Sequence, residues 1–145
     1  MISFEINQMV KPKIARTHFV RIFNKINKTL NIKKAEVSLA IVSDSAIKKM
    51  NKIYRGIDRP TDVLSFGKAS RQAGLDFTPK NYLGEIIISL EQAARQAKAA
   101  KQSLPTELER LISHGFLHLL GYDHEQSKRA AQAMAALEEK IVKQK

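Results

Sequence analysis

Three of the four histidines in this chain, His114, His118 and His124, fall within eleven residues. In the run His114-Gly115-Phe116-Leu117-His118-Leu119-Leu120-Gly121-Tyr122-Asp123-His124 the first two are four residues apart. On a helix they project from one face about one turn apart, near enough for both imidazoles to meet one cation. Gly121 stops that helix and lets the chain turn back to present His124 as a third ligand. Three neutral imidazoles leave the fourth position of a tetrahedral zinc open, and water bound there ionises near pH ~7. A lone histidine is more often a buried or capping residue. Three at ligand spacing, among apolar side chains that cannot satisfy isolated imidazoles, predict one metal site per chain. His18 has no such company and reads as a surface or boundary residue.

The same spacing fits the metzincin peptidases, but that pattern carries a glutamate directly after the first histidine. Here the position is Gly115, so the carboxylate that would deprotonate water and protonate an amine leaving group is missing. Phosphodiester chemistry leans more on metal and cationic stabilisation than on such an acid. Met134 falls inside a predicted helix and packs there, rather than in a methionine turn below a metal.

The elements that must position this cluster can be read from periodicity and punctuation. Residues 2–8 alternate as a strand, and 13–30 form an amphipathic helix with Ile14, Phe19, Ile22, Phe23, Ile26 and Leu30 on one side. Glu36 to Val42 is a second strand, after which Asp44 or Ser45 caps a helix running to about Lys52. Tyr54 to Pro60 reads as an irregular loop, broken by Gly56 and Pro60. Thr61 to Phe66 and Leu83 to Leu90 are two further strands, the second with a continuous Ile86-Ile87-Ile88 run suited to burial on both faces. Gly67 to Tyr82 between them is a long polar connection, mobile or functional in expectation. Glu91 to Lys101 is an alanine-rich helix. Ser103-Leu104-Pro105-Thr106-Glu107 starts the histidine-bearing helix, which is apolar almost all round and therefore central. A last helix covers about Glu125 to Val142.

With 145 residues the chain is expected to be a single domain able to bury a core unaided. It has no cysteine, which leaves histidine and carboxylate to carry any chemistry and fits a reducing compartment. The first residues lack the basic and apolar regions of a signal peptide, and no apolar run approaches membrane-spanning length, so a cytoplasmic protein is expected. The formal charge of +11 is lopsided, with +9 in residues 1–60 and +2 in 61–145. Such a field favours a polyanionic partner, nucleic acid before a membrane surface, although solubility alone would also account for it. The helix face carrying Arg21, Lys25 and Lys28 would hold a backbone of phosphates without reading sequence, unless it is only a solvated face. There is no tryptophan and aromatic residues are few, so recognition would rest on shape or on a partner.

The histidine block, together with Tyr54-Arg55-Gly56, Pro60-Thr61-Asp62-Val63-Leu64-Ser65-Phe66 and Leu83-Gly84-Glu85-Ile86, resembles the YbeY family of bacterial rRNA-maturation endoribonucleases. The likeness runs from about Ser38 onward, with two departures: Gly67 where the family usually has proline, and Glu85 where aspartate is frequent. The resemblance implies an α+β fold with a small, roughly four-stranded mixed sheet packed with helices around a central metal-binding helix. It implies zinc on His114, His118 and His124, and a functional arginine at Arg55. It also implies a single-strand-specific endoribonuclease acting in 16S rRNA 3′-end maturation and ribosome quality control. Ribosomal RNA and the ribosome or its small subunit would be partners, with ribosomal or assembly proteins as candidates.

On that reading His114 and Arg55 carry catalysis, since a planar guanidinium can bind two phosphate oxygens at once. Without the resemblance, an ordinary loop salt bridge would be the better account of Arg55. Arg59 is a further surface candidate for RNA. Glu85 and Asp123 could fix the tautomer of a ligand imidazole, though Asp123 could equally cap a turn and Glu85 pair with a lysine. Three classes compete: a zinc endoribonuclease, a metallopeptidase or other metal-dependent hydrolase, and a noncatalytic ribosome-assembly factor with structural zinc. Imidazole ligands also suit other divalent ions, nickel among them.

Overall fold

A computed structural model describes residues 1–67 and 81–145. The elements run β1 (Ile2–Gln8), α1 (Arg16–Leu30), β2 (Ala35–Val42), α2 (Asp44–Arg55), β3 (Val63–Gly67), β4 (Tyr82–Ser89), α3 (Leu90–Ala99), α4 (Leu104–Leu119) and α5 (Lys128–Lys143). The strands form one mixed sheet in the order β1-β2-β4-β3. β1 and β4 both run parallel to β2, and β3 closes the edge antiparallel to β4, pairing Val63 with Ile88 and Gly67 with Gly84. This is the expected α+β class with its small four-stranded sheet.

Period-two alternation divides the core. Val37, Leu39, Ile41, Ile86 and Ile88 face the helices α1, α3, α4 and α5, while Ala40, Val42, Leu64 and Ile87 face the other way, onto Ile47 of α2. The Ile86-Ile87-Ile88 run is thus buried on both faces, as a central strand requires. Helix α4 touches α1, α3, α5, β3 and β4, which explains its nearly all-round apolar surface.

Boundaries moved where local hydrogen bonds outweigh periodicity. α1 begins at Arg16 instead of residue 13 because the Gln8 side chain clamps the Ile14 backbone, accepting its N–H at 2.7 Å and donating to its carbonyl at 2.8 Å. The cap of α2 is Ser43, whose hydroxyl accepts the Ala46 N–H, and not Asp44 or Ser45. Asp44 instead accepts the Ser89 hydroxyl at 2.6 Å and pairs with Arg95, tying α2 to α3. Tyr54 and Arg55, read as loop, form the last turn of α2, because the helix runs on until Gly56, at φ 73°, ends it. β3 starts only at Val63, whose N–H is held by Asp62 Oδ1. Most of the polar connection after Gly67 lies outside the described residues. Among the described residues, no helix is long and apolar enough to cross a membrane.

Candidate metal centre

The histidine-bearing helix starts at Ser103, whose hydroxyl accepts the Thr106 N–H, with Pro105 in the first turn and Glu107 near the positive end of the dipole. It ends in a Schellman motif: the Tyr122 N–H bonds to the Leu117 carbonyl at 3.1 Å and the Gly121 N–H to the His118 carbonyl at 3.0 Å. Gly121 has φ 102°, a backbone state that L side chains avoid, although there is open space where its Cβ would be. Conformation, not room, therefore fixes glycine here. The turn it creates brings His124 back beside the helix. Asp123 Oδ1 holds this return by accepting the Glu125 N–H at 2.9 Å.

The result is a compact triad of imidazoles, with ring centroids 4.7, 5.1 and 5.2 Å apart and one ligand nitrogen from each ring within 4.8 Å of the others. The Nε2 atoms of His114 and His118 are 3.1 Å apart. Two nitrogens each about 2.0–2.1 Å from a tetrahedral zinc would stand about 3.3–3.4 Å apart, so the two rings already sit at ligation spacing. Burial, followed by the neighbouring His114 and His124 rings, lowers the pKa of His118. It is thereby kept neutral, the form that offers a lone pair to a metal. The triad can hold a metal ion.

The group that orients the triad was not foreseen. Glu138, on α5, has Oε1 2.5 Å from Nδ1 of His114, with both side chains mostly buried. A carboxylate at that nitrogen fixes the tautomer with hydrogen on Nδ1 and leaves Nε2 free to face His118. Of the two residues expected in this role, Asp123 lines the cleft but spends Oδ1 on the turn. Glu85 is not among the cleft residues and shares its side of β4 with Ile87, away from α4. A metal-ligating histidine usually has such a carboxylate partner, but nothing in the spacing of Glu138, twenty-four residues downstream, marks it. Glu138→Ala is expected to weaken metal binding about 10–100-fold, read by competition with a chromophoric chelator, with Glu138→Gln intermediate. Unchanged affinity in both would remove Glu138 from the site.

Around the triad lies a cleft of about 640 Å³, bounded by β3 from Val63 to Gly67, by Arg110 and Leu111 of α4, and by Arg55 of α2. Arg55 Nη2 is 4.0 Å from Oε1 of Glu125, the residue after His124. Both partners are about half exposed or more, so the pair tethers the guanidinium only loosely. Arg110 is held by the buried Glu107 at 2.5 Å and lies 3.8 Å from Asp62.

Gly115 is needed for packing. A Cβ there would lie 2.9 Å from Ile86 Cγ2 and 3.1 Å from Ser65 Oγ, whose hydroxyl donates to the Gly115 carbonyl. The helix thus lies directly on β3 and β4 at this residue, and a glutamate has no room without displacing them.

The other candidates are not gathered at the cleft. Arg21, Lys25 and Lys28 border a separate shallow depression on α1. There Lys25 pairs with Glu109 and donates to the Val142 carbonyl at 2.8 Å, and Lys28 donates to the Lys145 carbonyl at 3.1 Å. Two of these three cations therefore also fasten α1 to the end of the chain. Arg59 is exposed outside the cleft, and its carbonyl accepts from the buried Asn51 at 2.8 Å, which pins the loop after α2. His18 is half-buried and takes no part in the histidine cluster. Met134 is buried in the main core, as expected.

A small mixed sheet thus carries a central helix whose histidine triad can hold a metal ion in an open cleft. Across residues 1–145 the chain matches the family described as Endoribonuclease YbeY, and it belongs to that family of endoribonucleases. It is similar to the Endoribonuclease YbeY of Moorella thermoacetica, 50% identical over 113 residues that cover 75% of this chain and 72% of that one. The namesake from Persephonella marina is 44% identical over 121 residues, covering 81% and 74%. That of Syntrophomonas wolfei is 39% identical over 147 residues, covering 98% and 94%. The solution structure of a Thermotoga maritima protein superposes with a TM-score of 0.61 at 26% identity, covering 97% of this chain and 89% of that one.

Proposed function

We propose that the protein is a zinc-dependent endoribonuclease that cleaves single-stranded ribosomal RNA in the cytoplasm, in 16S rRNA 3′-end maturation and ribosome quality control. The observation that carries this reading is the gathering of an imidazole triad and Arg55 in one cleft, where the packing leaves no place for a peptidase acid at position 115. His114, His118 and His124 would hold the ion. Zinc bound by three neutral imidazoles supplies Lewis acidity and an activated water.

Glu138 orients His114 through Nδ1, and burial keeps His118 unprotonated. Arg55, which lines the cleft beside Glu125, would meet the phosphate and bind two of its oxygens as negative charge builds up. The net charge of +11 would draw a polyanion from a distance, with Arg21 and Arg59 as exposed contacts and Lys25 and Lys28 contributing field beside their structural bonds.

Arg55→Ala is expected to lower kcat for an unstructured oligoribonucleotide about 100–1,000-fold with the metal content intact. Arg55→Lys would recover only part, because an ammonium cannot form the two-pronged contact. The decisive experiment is cleavage of an rRNA precursor by the pure, zinc-loaded protein. If Arg55→Ala cuts as well as the wild type, a contaminating nuclease is responsible. Turnover of casein without cleavage of RNA would favour a peptidase, and tight RNA binding without turnover at any metal loading would favour an assembly factor.

A further inference from the structure

Tyr54 is 67% exposed although it sits in an ordered helical turn, and its ring rests against Phe66 with centroids 5.0 Å apart and planes tilted by 60°. So large an exposed aromatic returns little from burial. Its surroundings are those of the cleft: Phe66 lines it from β3, and Arg55, the next residue in α2, lines it as well. The backbone that carries Tyr54 is anchored, since α2 buries Ile47 and Asn51 and the Asn51 amide bonds to the loop beyond. An aromatic ring that is exposed, backed by a second ring and adjacent to a phosphate-binding guanidinium has the make-up of a stacking platform for an unpaired base.

We propose that Tyr54, buttressed by Phe66, forms a nucleobase-stacking subsite at the rim of the histidine cleft, taking a base of single-stranded RNA beside the phosphate held by Arg55. The inference rests on the endoribonuclease reading above and extends it to how substrate is gripped. A π-face accepts any base, so the subsite selects unpaired over duplex RNA without reading sequence. It gives this tryptophan-free chain a stacking contact at its cleft. Tyr54 positions RNA and does not touch the reacting atoms, so its loss should fall on KM and leave kcat nearly unchanged.

The test compares the zinc-loaded wild type with Tyr54→Ala and Tyr54→Phe on an unstructured oligoribonucleotide and on copies with one abasic nucleotide moved along it. Tyr54→Ala is expected to raise KM about 5–100-fold, while Tyr54→Phe, which keeps the ring, stays near wild type. At one position the abasic substitution should weaken wild type by a similar factor and add nothing in Tyr54→Ala. A non-cleavable 2′-O-methyl oligonucleotide with 2-aminopurine at that position should be quenched on binding wild type and not Tyr54→Ala. If wild type cleaves and binds RNA but Tyr54→Ala matches it in KM and quenching, the subsite is wrong and the nuclease reading stands. If wild type neither cleaves nor binds these oligonucleotides, both fall.

Discussion

His114→Ala is expected to abolish stoichiometric metal binding and to lower RNA cleavage by about a thousandfold or more. His114 is the hub of the site. Its Nε2 faces that of His118 at 3.1 Å, its Nδ1 meets Glu138, and its ring contacts that of His124. Removing it leaves two imidazoles, one of them half exposed, without the carboxylate-backed ligand that fixed their spacing. It also strands the mostly buried Glu138, a cost of about 1–3 kcal/mol in folding. Elemental analysis and unfolding curves on the same samples separate the two effects. A His114→Ala protein that still binds one metal per chain, or still cuts RNA at an appreciable rate, would refute the triad as the catalytic centre.

Gly84→Ala should be the most destabilising small substitution near the site. Gly84 has φ 143°, and a Cβ on it would lie 2.2 Å from the Phe66 carbonyl oxygen, 2.9 Å from Gly67 Cα and 2.9 Å from Leu119 Cδ2. The first two are main-chain atoms of β3, so no side chain can rotate away to make space. Backbone strain and overlap together should cost about 4 kcal/mol, or roughly 10–15 °C in Tm. Because the displaced segment carries Phe66 and Gly67, both cleft residues, cleavage should also suffer at temperatures where the protein stays folded. Gly67, its partner across the ladder, is the control: nothing lies within 4 Å of a Cβ there. Gly67→Ala should change stability by less than about 1 kcal/mol. Equal melting temperatures for the two variants would contradict this account of the Leu83-Gly84-Glu85-Ile86 block.

The same pair shows why motif residues could be recognised without being understood. Gly84 and Gly115 stand in the segments that resemble the family, yet what each must avoid, a β3 carbonyl for one and the Ile86 side chain for the other, belongs to strands brought there by the fold. The sequence shows at Gly115 only the acid it lacks, and packing supplies a second reason for the same exclusion. Tyr54 and Arg55 read as loop from the breakers Gly56 and Pro60 nearby, whereas the burial of Ile47 and Asn51 carries α2 on to Gly56.

What the sequence determined by itself was local. Two histidines one turn apart, a glycine at the helix end and a third histidine beyond it follow from helical geometry within eleven residues, and the four strands follow from alternation and short apolar runs elsewhere in the chain. Only the tertiary structure decided what surrounds the triad: Glu138 from α5, Arg55 from α2, the β3 wall, and the diversion of Lys25 to Glu109. The physical reason is range. Periodicity and capping act over a few residues, whereas the partners of a ligand and the walls of a cleft are chosen by the burial of distant apolar faces against one another.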